Sequence, residues 1–332
     1  MYQASENRYC EMKYTRCGDS GLKLPRVCLG LWHNFGSYAC ENDIKEIIFA
    51  AFDNGITHFD LANNYGPIAG SAEENFGRLL TTDLKPYRDE LIVSTKAGYE
   101  MYPGPYGDGG SRKYLFASLN QSLRRLNLDY VDIFYHHRMD KETPLEETML
   151  ALSDIVRSGK ALYVGLSNYD GPTLEKAAKI LDSLNTPFII NQNCYNIFNR
   201  TIEKNGLKET SYKLKKGIIA FSPLAQGLLT DRYLNGIPSD SRVASRSIFL
   251  KDSDLTKERL EAIKKLDQLA KERGETLSEM ALKWVLKDDK VTSVLVGVSK
   301  KSQLLKNIKA ASGNLFTLLE LQLIDQIVQN LC

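Results

Sequence analysis

This sequence predicts an α/β fold whose parallel sheet closes into a barrel, and three observations carry the prediction. Eight short apolar runs alternate with longer amphipathic stretches nearly from end to end. Parallel strands need long crossovers, and the helical patterns between the runs supply them. Residues able to do acid–base chemistry stand at several strand ends, as they do on the C-terminal face of a barrel. The first two observations also fit an open doubly wound sheet. The third favours closure.

Taken in order, Val27–Leu31, Thr57–Asp60, Leu91–Lys96 and Tyr130–His137 read as strands, being short and rich in β-branched or aromatic residues. Ala161–Ser167, Phe188–Gln192, Gly217–Ser222 and Ser293–Gly297 continue the series. Helical patterns cover Asn42–Asn54, Ala72–Leu80, Lys113–Asn127, Pro144–Ser158, Thr173–Leu184 and Glu279–Leu286, with Lys300–Ala311 after the last strand. Pro144 followed by Leu-Glu-Glu is a good helix start, because proline fits the first turn and acids complement the dipole. Ahead of the first barrel strand, Cys10–Arg16 and Leu22–Val27 flank Gly18-Asp19-Ser20-Gly21, the pattern of a hairpin able to plug the closed end. After the seventh strand, Leu224–Thr256 is a long connection rich in Gly, Ser, Arg and Asp, of the kind that covers binding sites.

Bulk properties narrow the class. The chain has 332 residues, 43% of them hydrophobic, enough for a large core. With no repeat or low-complexity linker, residues 1–332 read as a single barrel domain. Lys+Arg 43 against Asp+Glu 41 gives no sequence-wide attraction to nucleic acid. Met1 to Lys23 is polar, and no run approaches the roughly 18 apolar residues of a membrane span. Six cysteines, without a CxxC pair, read as reduced thiols in a cytoplasmic protein and suggest no metal site.

Asp60 and Tyr65, in Phe59-Asp60-Leu61-Ala62-Asn63-Asn64-Tyr65-Gly66, are the first candidates for chemistry. Alone they read as a turn. A phenol titrates near pH 10, so it becomes a useful proton donor only beside a cation that lowers its pKa. Lys96, closing Leu91–Lys96, is the candidate cation, and Asp60 would hold it. His136 and His137 end the fourth strand. Neighbours on a strand face opposite ways, so the two cannot easily share a metal, and parity alone does not choose between them.

These strand-end residues lie in seven ordered blocks: FDLANNYG at 59–66, STKAG at 94–98, LDYVDIFYHHR at 128–138, SGKALYVGLSNY at 158–169, INQNCYN at 190–196, IAFSPLAQGLLT at 219–230 and SVLVGVSKKSQLLKNI at 293–308. Together they resemble the aldo-keto reductase superfamily over almost the whole chain. GPYGDGGSRKYL, HHRMD, PLEET and GIPSDSR point within it to the bacterial glyceraldehyde-3-phosphate-type and potassium-channel β-subunit-like reductases. The resemblance implies a (β/α)8 TIM barrel that binds NADPH/NADP+ without a Rossmann domain, and no G-x-G-x-x-G follows any predicted strand.

The resemblance also implies roles. Asp60, Tyr65, Lys96 and His137 would form the catalytic tetrad; the family position just before Arg138 selects His137. Leu31 and Trp32 would wall the nicotinamide or substrate, and Ser167, Asn168 and Gln192 would bind the carboxamide. Phe221 would stack on the ring. Ser222, Leu224, Gln226, Gly227 and Leu229 would line the pyrophosphate, with Arg232 and Arg242 near the phosphates. Gly297, Ser299, Gln303 and Asn307 would hold the adenosine. Lys306 departs from the acid common before that asparagine; with Lys300 and Lys301 it suits a 2′-phosphate, hence NADPH. The expected partner is a small carbonyl substrate, with glyceraldehyde 3-phosphate, whose phosphate Arg112 or Arg138 could attract, and methylglyoxal among the candidates. A homo-oligomer, tetramer or larger, is expected. The competing expectation is a regulatory NADP-binding subunit of the channel β type.

Overall fold

The structure, a computed structural model, describes residues 2–234, 255–311 and 316–331. Strands β1 (Tyr14–Arg16) and β2 (Lys23–Pro25) form an antiparallel hairpin. Eight parallel strands follow: β3 (Val27–Gly30), β4 (His58–Asp60), β5 (Ile92–Ala97), β6 (Val131–His136), β7 (Ala161–Ser167), β8 (Phe188–Cys194), β9 (Gly217–Phe221) and β10 (Ser293–Val296). Each pairs with the next, and β10 returns to β3, closing the barrel. The sheet is therefore the (β/α)8 TIM barrel, not the open alternative.

Helices pack outside it. The crossovers carry α1 (Glu41–Asp53), α2 (Ser71–Thr81), α3 (Arg112–Leu126), α4 (Leu145–Arg157) and α5 (Gly171–Ser183). Then come α6 (Thr201–Lys204), α7 (Leu207–Lys213), α8 (Lys257–Glu272) and α9 (Leu277–Val285), with α10 (Lys301–Ala310) and α11 (Leu318–Val328) after β10. Local chemistry starts them: Ser111 caps α3, Asp170 caps α5, and Thr276 with Glu279 forms a capping box on α9. Helices α6, α7, α8 and α11 lie where the sequence reading sets none. Helices α6 and α7 are short, polar and split by Gly206 at φ +78°, so no apolar period builds up. The long connection after β9 holds one-turn helices at Ala225–Gly227 and Asp231–Tyr233; its stretch 235–254, including Arg242, lies outside the described residues.

Alternation divides the apolar residues between two cores. Leu29, Phe59, Val93, Phe134 and Val164 face out and join the layer against the helices. Cys28, Ile92, Ile133, Tyr135, Ile190, Ile219 and Leu295 fill the barrel. Gly165 makes room for one of them, since a Cβ there would lie 2.3 Å from the Tyr135 ring. Hairpin residues Cys17 and Leu24, both fully buried, belong to the inner core and close the barrel's N-terminal face. Gly18 seats the hairpin: its φ is +56°, and a Cβ would meet the Lys215 carbonyl oxygen at 2.0 Å. The closed bottom leaves the C-terminal mouth for chemistry.

Candidate active site

Strand β4 delivers Asp60 and β5 delivers Lys96, both to the inner face near the mouth. The Lys96 ammonium donates to Asp60 Oδ2 at 2.5 Å, to the Leu61 carbonyl at 2.6 Å and to Tyr65 Oη at 3.4 Å. Asp60 Oδ1 accepts from Ser94 Oγ at 2.7 Å and from Gln192 Nε2 at 3.1 Å. Three donors on one buried carboxylate fix its plane. Tyr65, on the loop after β4, meets His137 edge-on, with ring centroids 5.8 Å apart. The four residues named from the sequence stand together.

The structure separates the two histidines. His137 continues the parity of Ile133 and Tyr135 and faces the mouth, its Nδ1 buried without a partner. His136 faces the other way, with Nδ1 2.7 Å from Tyr169 Oη.

Electrostatics correct one expectation. Burial, followed by the charge of Asp60, pushes the Tyr65 phenol well above its ordinary value rather than below it. The Lys96 ammonium, 3.4 Å from the phenol oxygen, pulls the other way without outweighing burial. Burial lowers the Lys96 ammonium, opposed by the charge and hydrogen bond of Asp60. Burial, aided by the Lys96 charge, also takes His137 well below the usual imidazole range. At neutral pH the mouth thus holds a protonated phenol beside a neutral imidazole.

Aromatic residues frame this centre. Trp32, from the loop after β3, lies 6.3 Å from the Tyr65 ring, and Tyr99 meets His137 edge-on at 4.7 Å. Leu31 is fully buried and donates its backbone N–H to the Asp60 carbonyl at 2.9 Å. Arg138 is engaged locally: Nε donates to the Gly98 carbonyl at 2.8 Å, and Nη2 to both Asp108 oxygens at 2.8 Å. Arg112 pairs with Asp154 at 2.6 Å.

A nicotinamide nucleotide fits the residues that follow. The Asn168 side-chain amide donates to the His137 carbonyl at 3.0 Å and to Ser167 Oγ at 3.2 Å. That leaves Asn168 Oδ1 to accept and the Ser167 hydroxyl to donate, the complement of a carboxamide. Gln192 is paired in register with Ser167, and Phe221, half-buried, ends β9. Beyond it the backbone is left-handed at Ser222 (φ +52°), Ala225 (+48°), Gln226 (+60°) and Gly227 (+98°). Such strain at non-glycine residues gathers at ligand clamps. Gln226 Nε2 donates to Ser222 Oγ at 3.1 Å, and Leu224 is half-buried beside them. Leu229 is fully buried, backbone included. Arg232 lies on the one-turn helix capped by Thr230.

The residues assigned to adenosine form a separate patch. Gly297 and Ser299 are exposed past β10, Gln303 Oε1 accepts from the Ser299 N–H at 3.0 Å, and Asn307 is largely buried on α10. A cleft of about 510 Å³ runs beside them, lined by Asp43, Glu46, Ser299, Lys300 and Lys301 among others. Ser94 and His58 are the neighbours that the sequence reading missed; each lies two residues before a tetrad member on the same strand face.

The family model for the aldo/keto reductases matches residues 26–329. The chain belongs to this family. It is similar to the L-glyceraldehyde 3-phosphate reductase of Escherichia coli strain K12, at 54% identity over 98% of this chain and 95% of the relative. A probable voltage-gated potassium channel subunit beta of Arabidopsis thaliana is 34% identical over 96% of this chain and 97% of the relative. Its counterpart in Oryza sativa subsp. japonica is 35% identical over 95% of each. The chain is thus an oxidoreductase of the aldo-keto reductase type, and among its described residues no helix is long and apolar enough to cross a membrane.

Proposed function

We propose that this aldo-keto reductase uses NADPH to reduce small aldehydes, glyceraldehyde 3-phosphate first and methylglyoxal-like carbonyls beside it. The observation that carries the reading is the hydrogen-bonded line Asp60–Lys96–Tyr65 ending beside His137 at the mouth. When bound, the nicotinamide supplies a hydride to the carbonyl carbon. Tyr65 gives the carbonyl oxygen its proton as charge develops there. Lys96 stabilises the phenolate left behind, and Asp60 keeps the ammonium in place. His137, neutral through burial, donates a hydrogen bond from Nε2 and orients the oxygen. One hydride and one proton convert the carbonyl to an alcohol.

Ser167, Asn168, Gln192 and Phe221 would hold the nicotinamide, and the loop of Ser222, Leu224, Gln226, Gly227 and Leu229 the pyrophosphate, with Arg232 and Arg242 near the phosphates. Gly297, Ser299, Gln303 and Asn307 would hold the adenosine. Lys300, Lys301 and Lys306 supply cations for a 2′-phosphate, although Lys301 also lies 3.8 Å from Glu46. The reading takes residues 1–332 as one domain, in a cytoplasm where the five described free cysteines stay reduced. Leu318, Leu319 and Leu323, exposed on α11, support self-association, and the reading takes it as a homo-oligomer of four subunits or more.

The test is NADPH consumption with a panel of aldehydes. Turnover of glyceraldehyde 3-phosphate, with NADH much less efficient, supports the reading. Equal efficiency with NADH removes the cofactor preference. Binding of NADPH without turnover of any aldehyde favours a regulatory subunit instead.

A further inference from the structure

The tetrad occupies one side of Asp60, and the other side leads down into the barrel. Behind Ser94 Oγ lies the His58 ring, with Nε2 at 2.9 Å from that oxygen and Nδ1 at 3.2 Å from Cys28 Sγ. Cys28, His58, Asp60 and Ser94 are all fully buried. His58 and Asp60 are two residues apart on β4, and Ser94 and Lys96 two apart on β5, so all four share the inner face.

Counting hydrogens gives this chain a direction. The carboxylate of Asp60, paired with Lys96, only accepts. The single Ser94 hydrogen is therefore committed to Asp60, and Ser94 Oγ must accept from His58 Nε2–H. Burial holds the His58 ring neutral, down to about 4 against the opposing pull of Asp60, so it carries one hydrogen. Nδ1 is then the acceptor facing the Cys28 thiol. A serine hydroxyl otherwise rotates; an incoming N–H leaves its hydrogen one favourable direction, onto Asp60.

We propose that His58 is a positioning residue for proton delivery: through Ser94 it fixes Asp60, and through Asp60 it sets Lys96 against Tyr65. The proposal rests on the catalytic reading of Asp60, Lys96 and Tyr65 given above. His58 touches neither substrate nor cofactor and acts only along the chain Ser94–Asp60–Lys96. Its contribution should appear in turnover rather than in binding.

Two measurements test it. The sequence has 4 histidines, so ¹⁵N-histidine labelling gives a readable ring spectrum at pH 7, and His58→Gln identifies the missing resonance. A neutral ring with its hydrogen on Nε2 is expected; a hydrogen on Nδ1, or a charged ring, overturns the proposal. In steady-state assays with NADPH and glyceraldehyde 3-phosphate, His58→Leu should lower kcat about tenfold while KM and NADPH affinity stay within about twofold. His58→Gln, which keeps an N–H for Ser94, should hold kcat within about threefold of the parent. Unchanged kcat in folded His58→Leu, or equal losses in both variants, overturns the proposal. Should His58→Leu fail to fold, Ser94→Ala cuts the same chain and must show the same loss in kcat. No turnover by the unaltered enzyme overturns the catalytic reading and the proposal with it, and the ring spectrum tells that failure from a wrong hydrogen-bond direction.

Discussion

The Lys96 ammonium lies 2.5 Å from the Asp60 carboxylate, and neither side chain has any exposed surface. A pair so buried contributes little net stability, because desolvating both charges offsets their attraction. Breaking it is another matter. Lys96→Met would leave Asp60 charged and unmatched, at a cost of about 3 to 5 kcal/mol. Urea unfolding should show that loss, together with loss of turnover. A variant as stable as the parent would mean that Asp60 finds a proton or another partner.

Tyr65→Phe removes only the phenolic oxygen. Turnover should fall by roughly 10² to 10⁴, the usual weight of a general acid, while NADPH binding followed by fluorescence stays the same. Undiminished turnover would move the proton donor elsewhere.

Acid should weaken the fold through its buried histidines. Burial holds His136 at about 4, with the charge of Asp140 pulling upward and that of Arg138 downward, whereas an unfolded histidine titrates near 6.5. Between those values the unfolded chain takes a proton that the folded chain refuses, so stability falls as pH drops from 6.5 towards 4 and is unaffected by this ring above that window. Each such ring is expected to lose roughly 1 to 3 kcal/mol by pH 4. His136→Gln should flatten that part of the stability–pH curve; an unchanged slope would contradict the assignment.

Arg138 is offered to the mouth yet held by Asp108. If it receives a substrate phosphate, Arg138→Leu should raise KM for a phosphorylated aldehyde several-fold, by roughly 1 kcal/mol or more, and leave methylglyoxal unaffected. Equal effects on both substrates would make the ion pair a local brace.

Much of this was legible beforehand because each signal is local. Alternating strand and helix patterns gave eight barrel strands, and Asp60, Tyr65, Lys96 and His137 each stand at a strand end or in the loop beyond. Closure depends on β10 meeting β3, a pairing between segments more than 260 residues apart that no window of sequence contains. The raised phenol of Tyr65 was not legible either, because burial is set by packing from many elements and outweighs the one cation the sequence suggests. Ser94 and His58 escaped notice because their importance depends on neighbours across the sheet. Helix α8 carries a readable apolar stripe, Ala262, Ile263, Leu266, Leu269 and Ala270, that the sequence reading passed over in favour of the long connection before it.

The hairpin seals the N-terminal face with Cys17 and Leu24, and with the interior packed by side chains only the C-terminal face is left open to solvent. Every ligand must therefore come and go by the same side, so cofactor and substrate share a single entrance.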